Sequence, residues 1–297
     1  MSTRVAAVLV VTMAVFAVAP LALAQSEPPR ILFFSRSEGF EHGPVAVKDS
    51  KPSVAEKALG ELAAQESAPF KSTKDGGEIT AENLKKYDLV VFYTQGDITK
   101  PESKDGAPPV SAQGINDLLD WVKNGGRYMG FHSASDTMHT PKGGEVTPYL
   151  KMVGGEFIGH GPQFVGAVKV VDPTHPAMAS IPQDWSFLEE WYTFSNFNKD
   201  SIRVLALLHP DKEIAAKDKR YDSSDYPIIW VNTYGKGKVY FNAIGHREEL
   251  WESNPVFRAS ILDAAKWLMA DGTEGFEPNF DKVVPKEKAA DKPVEKK

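Results

Sequence analysis

The sequence contains no cysteine among its 297 residues. Disulfides, thiolate metal sites, iron–sulfur ligation and a cysteine nucleophile are therefore excluded, as is the lipidated N-terminal cysteine of a bacterial lipoprotein. A basic excess is missing too: 34 Lys and Arg stand against 40 Asp and Glu, for a formal charge of -6 with both signs interspersed. No nucleic-acid partner is expected of such a chain. Beyond the N-terminal segment no apolar run is long enough to span a bilayer, no internal repeat is evident, and no local metal signature such as His-x-x-x-His occurs. Without disulfides, stability has to come from a hydrophobic core, which a chain of this length can build.

What is present begins with Arg4, an apolar run over residues 5–19, and small residues at Ala22 and Ala24. This pattern matches a secretory signal over residues 1–24, cleaved near Ala24. The mature protein is then expected in a periplasm or outside the cell, with no stable membrane span. A stretch rich in Lys, Glu and Pro over residues 278–297 reads as a disordered tail. The interval 28–274 suits one α/β domain. Within it, unbroken apolar runs at residues 30–35, 88–94 and 128–131 suit strands covered on both faces. Between them, Ser53 and Glu56 form a capping box, and Ile115, Leu118, Leu119 and Val122 fall at helical spacing before Asn124-Gly125-Gly126. The alternation predicts a mainly parallel sheet with helices on both faces. Later strands are expected at residues 164–171, 202–207 and 227–231, with a hairpin at Tyr234-Gly235-Lys236-Gly237 and a last helix opening at Asn254-Pro255.

Ligands of open parallel sheets bind beyond the carboxyl ends of the strands. Four of the seven histidines, His42, His132, His160 and His246, fall at strand ends or in loops that could converge there. They belong to an ordered series: Gly130-Phe131-His132-Ser133-Ala134 with Asp136, Gly154-Gly155-Glu156-Phe157 with His160, Asp172, His175-Pro176, Glu189-Glu190-Trp191-Tyr192, Gly235-Lys236-Gly237-Lys238-Val239-Tyr240 and Gly245-His246. In this order the motifs resemble the ThuA-like family, named for trehalose utilisation. The resemblance implies a flavodoxin-like doubly wound sheet of the class I glutamine amidotransferase type. Those enzymes present a cysteine on the sharp turn after a strand. Here His132 takes that place, so glutaminase chemistry is excluded. His246 and Glu248 resemble the His-x-Glu pair that serves the cysteine, while Ser133, beside the elbow position, is not the exposed nucleophile such a turn creates.

The resemblance places the chain in disaccharide catabolism, with a small-molecule carbohydrate as its partner. His42, His132, His160 and His246 with Glu190 are the candidates for holding a divalent metal such as zinc, which would polarise a carbonyl or activate water. Metal-free acid/base work by the same residues is the near alternative. No nucleotide cofactor is expected. His132, Asp136, Glu190 and His246 are the catalytic candidates for hydrolysis, elimination or isomerisation of a sugar or 3-keto sugar. A 3-keto group acidifies the proton at the second carbon and opens those routes. Phe40, Tyr149, Trp191 and Tyr192 are candidates for stacking on a pyranose, and His139, His175 and His209 read as surface or hydrogen-bonded core residues. A non-catalytic carbohydrate-binding or scaffolding domain is the other class of function, and a shallow aromatic groove with separated histidines would mark it. The oligomeric state is left open.

Overall fold

A computed structural model describes residues 28–222, 225–272 and 275–284. The expected leader and the chain from residue 285 onward lie outside them. Eleven strands form: β1 (Ile31–Phe34), β2 (Phe70–Thr73), β3 (Leu89–Phe92), β4 (Arg127–Phe131), β5 (Glu156–His160), β6 (Phe164–Val170), β7 (Trp185–Glu189), β8 (Tyr192–Ser195), β9 (Arg203–His209), β10 (Tyr226–Tyr234) and β11 (Gly237–Asn242). Nine of them make one sheet in the order β2-β1-β3-β4-β11-β10-β9-β6-β7, and β5 with β8 forms a separate antiparallel pair. From β2 to β11 every pairing is parallel, and from β11 to β7 every pairing is antiparallel. Seven strands of the large sheet therefore run one way, and only β10 and β6 oppose them.

The local signals fold as the residues dictate. Leu89 to Phe92 is buried at every position, which is why its run does not alternate. Ser53 accepts the Glu56 N–H at the start of helix Val54–Gln65, and Asn254 accepts the Phe257 N–H ahead of helix Pro255–Met269. Phe257, Ile261, Ala264 and Leu268 of helix Pro255–Met269 face the core, and a further short helix, Phe280–Val283, follows it. Helix Ala112–Lys123 buries Ile115, Leu118, Leu119 and Val122. Helices Val54–Gln65 and Pro255–Met269 pack together, and Ala112–Lys123 packs with helix Pro148–Val153, giving the two helical layers of a doubly wound sheet.

Two sequence expectations change. The packed chain runs past residue 278, because Phe280 is buried with its ring 4.9 Å from Phe197, and the Asn279 side chain bonds both the N–H and the carbonyl of Val204. The tail therefore cannot start before residue 285. The edge strand β2 went unread because Phe70-Lys71-Ser72-Thr73 carries little apolar signal. Among the described residues no helix is long and apolar enough to cross a membrane.

Candidate metal centre

The carboxyl ends of same-direction strands converge on one cluster of side chains. His42 follows β1, His132 follows β4, Gly245-His246 follows β11, and Glu189-Glu190 ends β7. His132 has φ 44°, a left-handed conformation rare for a non-glycine residue, at the point where β4 turns into a 3-10 turn over His132–Ser135. The strain sits where the sharp strand-to-turn elbow aims the His132 side chain into the cluster. His132 Nδ1 donates to the Ala243 carbonyl at 2.8 Å, which fixes the tautomer and leaves Nε2 as a lone-pair nitrogen. His42 Nε2 bonds the Tyr192 hydroxyl at 3.2 Å, leaving Nδ1 inward. His246 Nδ1 lies 3.1 Å from Glu190 Oε1, though not aligned for a hydrogen bond.

Three buried imidazole nitrogens, His42 Nδ1, His132 Nε2 and His246 Nδ1, thus lack a hydrogen-bond partner. A buried unsatisfied polar atom costs about 1–3 kcal/mol. Three of them would consume a large part of the roughly 5–15 kcal/mol by which a domain is stable. One nitrogen from each ring and one Glu190 oxygen all lie within 4.8 Å of one another. With zinc–nitrogen bonds of about 2.1 Å, tetrahedral ligands stand roughly 3.4 Å apart and opposed octahedral ligands roughly 4.2 Å, so the set closes on an ion with sub-ångström movement.

The electrostatics favour the ligating forms of His42, His132 and Glu190, whereas His246 would have to give up a proton to a metal. Burial, reinforced by the charges of His132 and His246, pushes His42 well below its ordinary pKa, and burial lowers His132 against the pull of Glu190. Burial also acts to lower His246, but Glu190 outweighs it and raises that pKa. Burial works to raise Glu190 as well, yet the imidazoles of His132 and His246 beside it hold it well below the carboxylate range. Neutral imidazoles beside one carboxylate are the donor set of a zinc-type or similar transition-metal site.

Glu189 braces this arrangement from beneath. Its carboxylate accepts the Glu190 N–H at 2.7 Å and the Gly245 N–H at 3.1 Å, tying two ligand-bearing segments together, and burial pushes its pKa up to about 7. The Gly245 carbonyl takes Tyr93 O–H at 3.0 Å and Trp251 N–H at 2.9 Å. At φ +138° that position also requires glycine. Glu189→Leu removes one anchor and should weaken metal affinity by ~10–100-fold in a chelator competition.

A family model described as ThuA, trehalose utilisation, matches residues 30–268. The chain belongs to the ThuA family. A ThuA-like protein from Bacteroides uniformis superposes with a TM-score of 0.62 at 20% identity, covering 88% of this chain and 99% of that one. One from Parabacteroides merdae gives 0.58 at 16% identity, covering 84% and 95%. A protein from Salmonella typhimurium described as cytoplasmic gives 0.52 at 13% identity, covering 80% and 98%. At these identities the likeness establishes the flavodoxin-like fold. No functionally curated protein matches the chain.

Within this ThuA-family fold several candidates move. His160 stands at the rim, its side chain 42% exposed and its Nδ1 3.2 Å from Glu190 Oε2, outside the four-residue group. Tyr149 and Trp191 are core residues and cannot stack on a ligand: Tyr149 bonds Tyr128 and the Ala134 carbonyl, and Trp191 donates to the Phe164 carbonyl. Tyr192 is buried too, its ring 3.9 Å from that of His132, so it buttresses the ligands. Of the four aromatic candidates only Phe40 is exposed. Glu248 pairs with Lys48 at 3.0 Å, and the carboxylate beside His246 is Glu190. Ser133 is fully buried, and no base bonds its hydroxyl.

Asp136, a catalytic candidate, pairs with His139, which the sequence reads as a surface or hydrogen-bonded core residue. His139 Nδ1 also reaches Glu156 at 2.9 Å, and Thr140 and Asn196 complete the bonding of Glu156. Asp136 and then Glu156 raise the His139 pKa to about 9. A raised folded-state pKa contributes stability that is complete below the unfolded value of about 6.5 and is lost as pH rises through about 9. With the side chain 34% exposed, screening reduces this to about 1–2 kcal/mol. His139→Gln should therefore flatten the fall in stability between pH 6.5 and 9.5 in urea titrations.

Proposed function

We propose that this ThuA-family protein is an exported, metal-dependent enzyme of disaccharide catabolism that acts beside the keto group of an oxidised sugar, by elimination or isomerisation. The observation that carries this reading is the convergence of three unpartnered imidazole nitrogens on Glu190. His42, His132, His246 and Glu190 would hold the ion, and a divalent metal such as zinc supplies polarisation of the carbonyl. The acid/base work then falls to His160. Its Nδ1 lies 3.0 Å from the Gly161 carbonyl and faces Glu190, so Nδ1 carries the hydrogen and Nε2 is the basic nitrogen of a part-exposed ring. That nitrogen takes the acidic proton beside the keto carbon and returns it, either to carbon or to the departing glycosidic oxygen.

The leader read over residues 1–24 is what supports export. Separated histidines would have favoured a non-catalytic binding domain, and their convergence supports an enzyme instead. The test is turnover of a 3-keto disaccharide by protein stripped with chelator and then reloaded. Activity should vanish on stripping and return with a divalent transition metal. Equal activity in the stripped protein would contradict the proposal.

A further inference from the structure

We propose that Phe40, Gln95 and Asp136 form a sugar-ring subsite at the mouth of the centre, taking a neutral, unphosphorylated pyranoside. Phe40 would stack on its apolar face, and the Gln95–Asp136 pair would take two adjacent hydroxyls. This deepens the reading of a sugar-acting enzyme and rests on it. Phe40 is 58% exposed, and its ring centroid is 4.8 Å from that of the ligand candidate His42. The exposure is not loop slack. The Glu38 N–H bonds the Gln95 carbonyl at 2.9 Å, the Gly39 and Phe40 N–H groups both bond Gln95 Oε1 at 2.8 and 2.7 Å, and Lys74 holds Glu41 at 3.0 Å. The aromatic platform is thus fixed by folding, so little ordering cost remains for binding.

The same glutamine supplies the polar half of the subsite. Gln95 Oε1 is filled by two N–H groups, and Nε2 spends one of its two hydrogens on Asp136 Oδ2 at 3.0 Å. Asp136 Oδ1 pairs with His139, leaving about two of the four lone-pair positions of the carboxylate. One free donor beside free acceptors complements a vicinal diol, in which one hydroxyl accepts and the other donates. The Asp136 carboxylate, already bonded by His139 and Gln95, offers only acceptors and so suits hydroxyls rather than a phosphate or carboxylate on the ligand.

The test is calorimetric titration of the metal-loaded protein with methyl α-glucopyranoside, glucose 6-phosphate and the open-chain polyol sorbitol, with metal content measured on every sample. The glucoside should bind best, Phe40→Ala should weaken it by ~10-fold or more, as loss of one stacked aromatic face implies, and Phe40→Trp should keep it, all at unchanged metal content. Glucoside binding that survives Phe40→Ala, or a wild-type protein that holds metal but prefers the phosphate ester or binds no glucoside, overturns the subsite and leaves the metal reading standing. Wild-type protein without metal overturns the reading beneath it.

Discussion

Glu190→Gln should strip the protein of its metal and of its activity while leaving it folded. Glu190 is the only carboxylate in the four-residue group among the described residues, and its Oε1 lies 3.5 Å from His132 Nε2 and 3.1 Å from His246 Nδ1. Gln is close in volume and keeps the connection between β7 and β8, but it replaces an anion with an amide that can present its N–H groups to the ion. Removing one partner of a buried charged pair costs about 3–5 kcal/mol. In affinity that is ~10²–10⁴-fold. Circular dichroism and thermal melting should report a folded protein, elemental analysis a loss of metal, and turnover a fall of at least the same order. A variant that keeps full metal and full turnover would remove Glu190 from the centre.

His160→Ala should separate chemistry from binding. His160 lies outside the four-ligand group, so metal content should stay at the wild-type level, while loss of a positioned acid/base group lowers kcat by ~10²–10⁴-fold with little change in KM. The ring also stacks 5.8 Å from Tyr192, so His160→Phe serves as a second variant that preserves packing and removes only the nitrogen. If either variant loses metal in proportion to activity, His160 is a ligand and the division of roles fails. If both retain turnover, the proton passes through another group.

The parallel half of the sheet, its edge strand β2 apart, was legible because buried parallel strands leave unbroken apolar runs, as in residues 89–92, and because Ser53 and Asn254 mark helix starts by a local hydrogen bond. The antiparallel half was read in part. The hairpin at Gly235 announces itself through its turn, whereas β7 alternates and ends in Glu189-Glu190, which reads equally as solvated charge. For the site, position after a strand was informative for His42, His132 and His246, each brought inward by the sheet. It was misleading for His160, whose strand belongs to the separate two-stranded pair and stops at the rim. Three of the four aromatic candidates, Tyr149, Trp191 and Tyr192, failed for a different reason. Trp191 and Tyr149 lie near the site in sequence, but their polar tips find core partners, and burial cannot be read from neighbouring letters. Glu189 had no distinguishing signal either, because its role rests on two backbone N–H groups 56 residues or less apart from it along the chain.

The central claim is that His42, His132, His246 and Glu190 hold a metal ion. Elemental analysis of the mature protein, purified without an affinity tag and set beside His132→Ala and His42→Ala, tests it most directly. About one equivalent of a divalent transition metal per chain, lost in both variants, is the predicted result. No metal in the wild-type protein, even after supplementation with zinc, manganese, iron and cobalt, would contradict it.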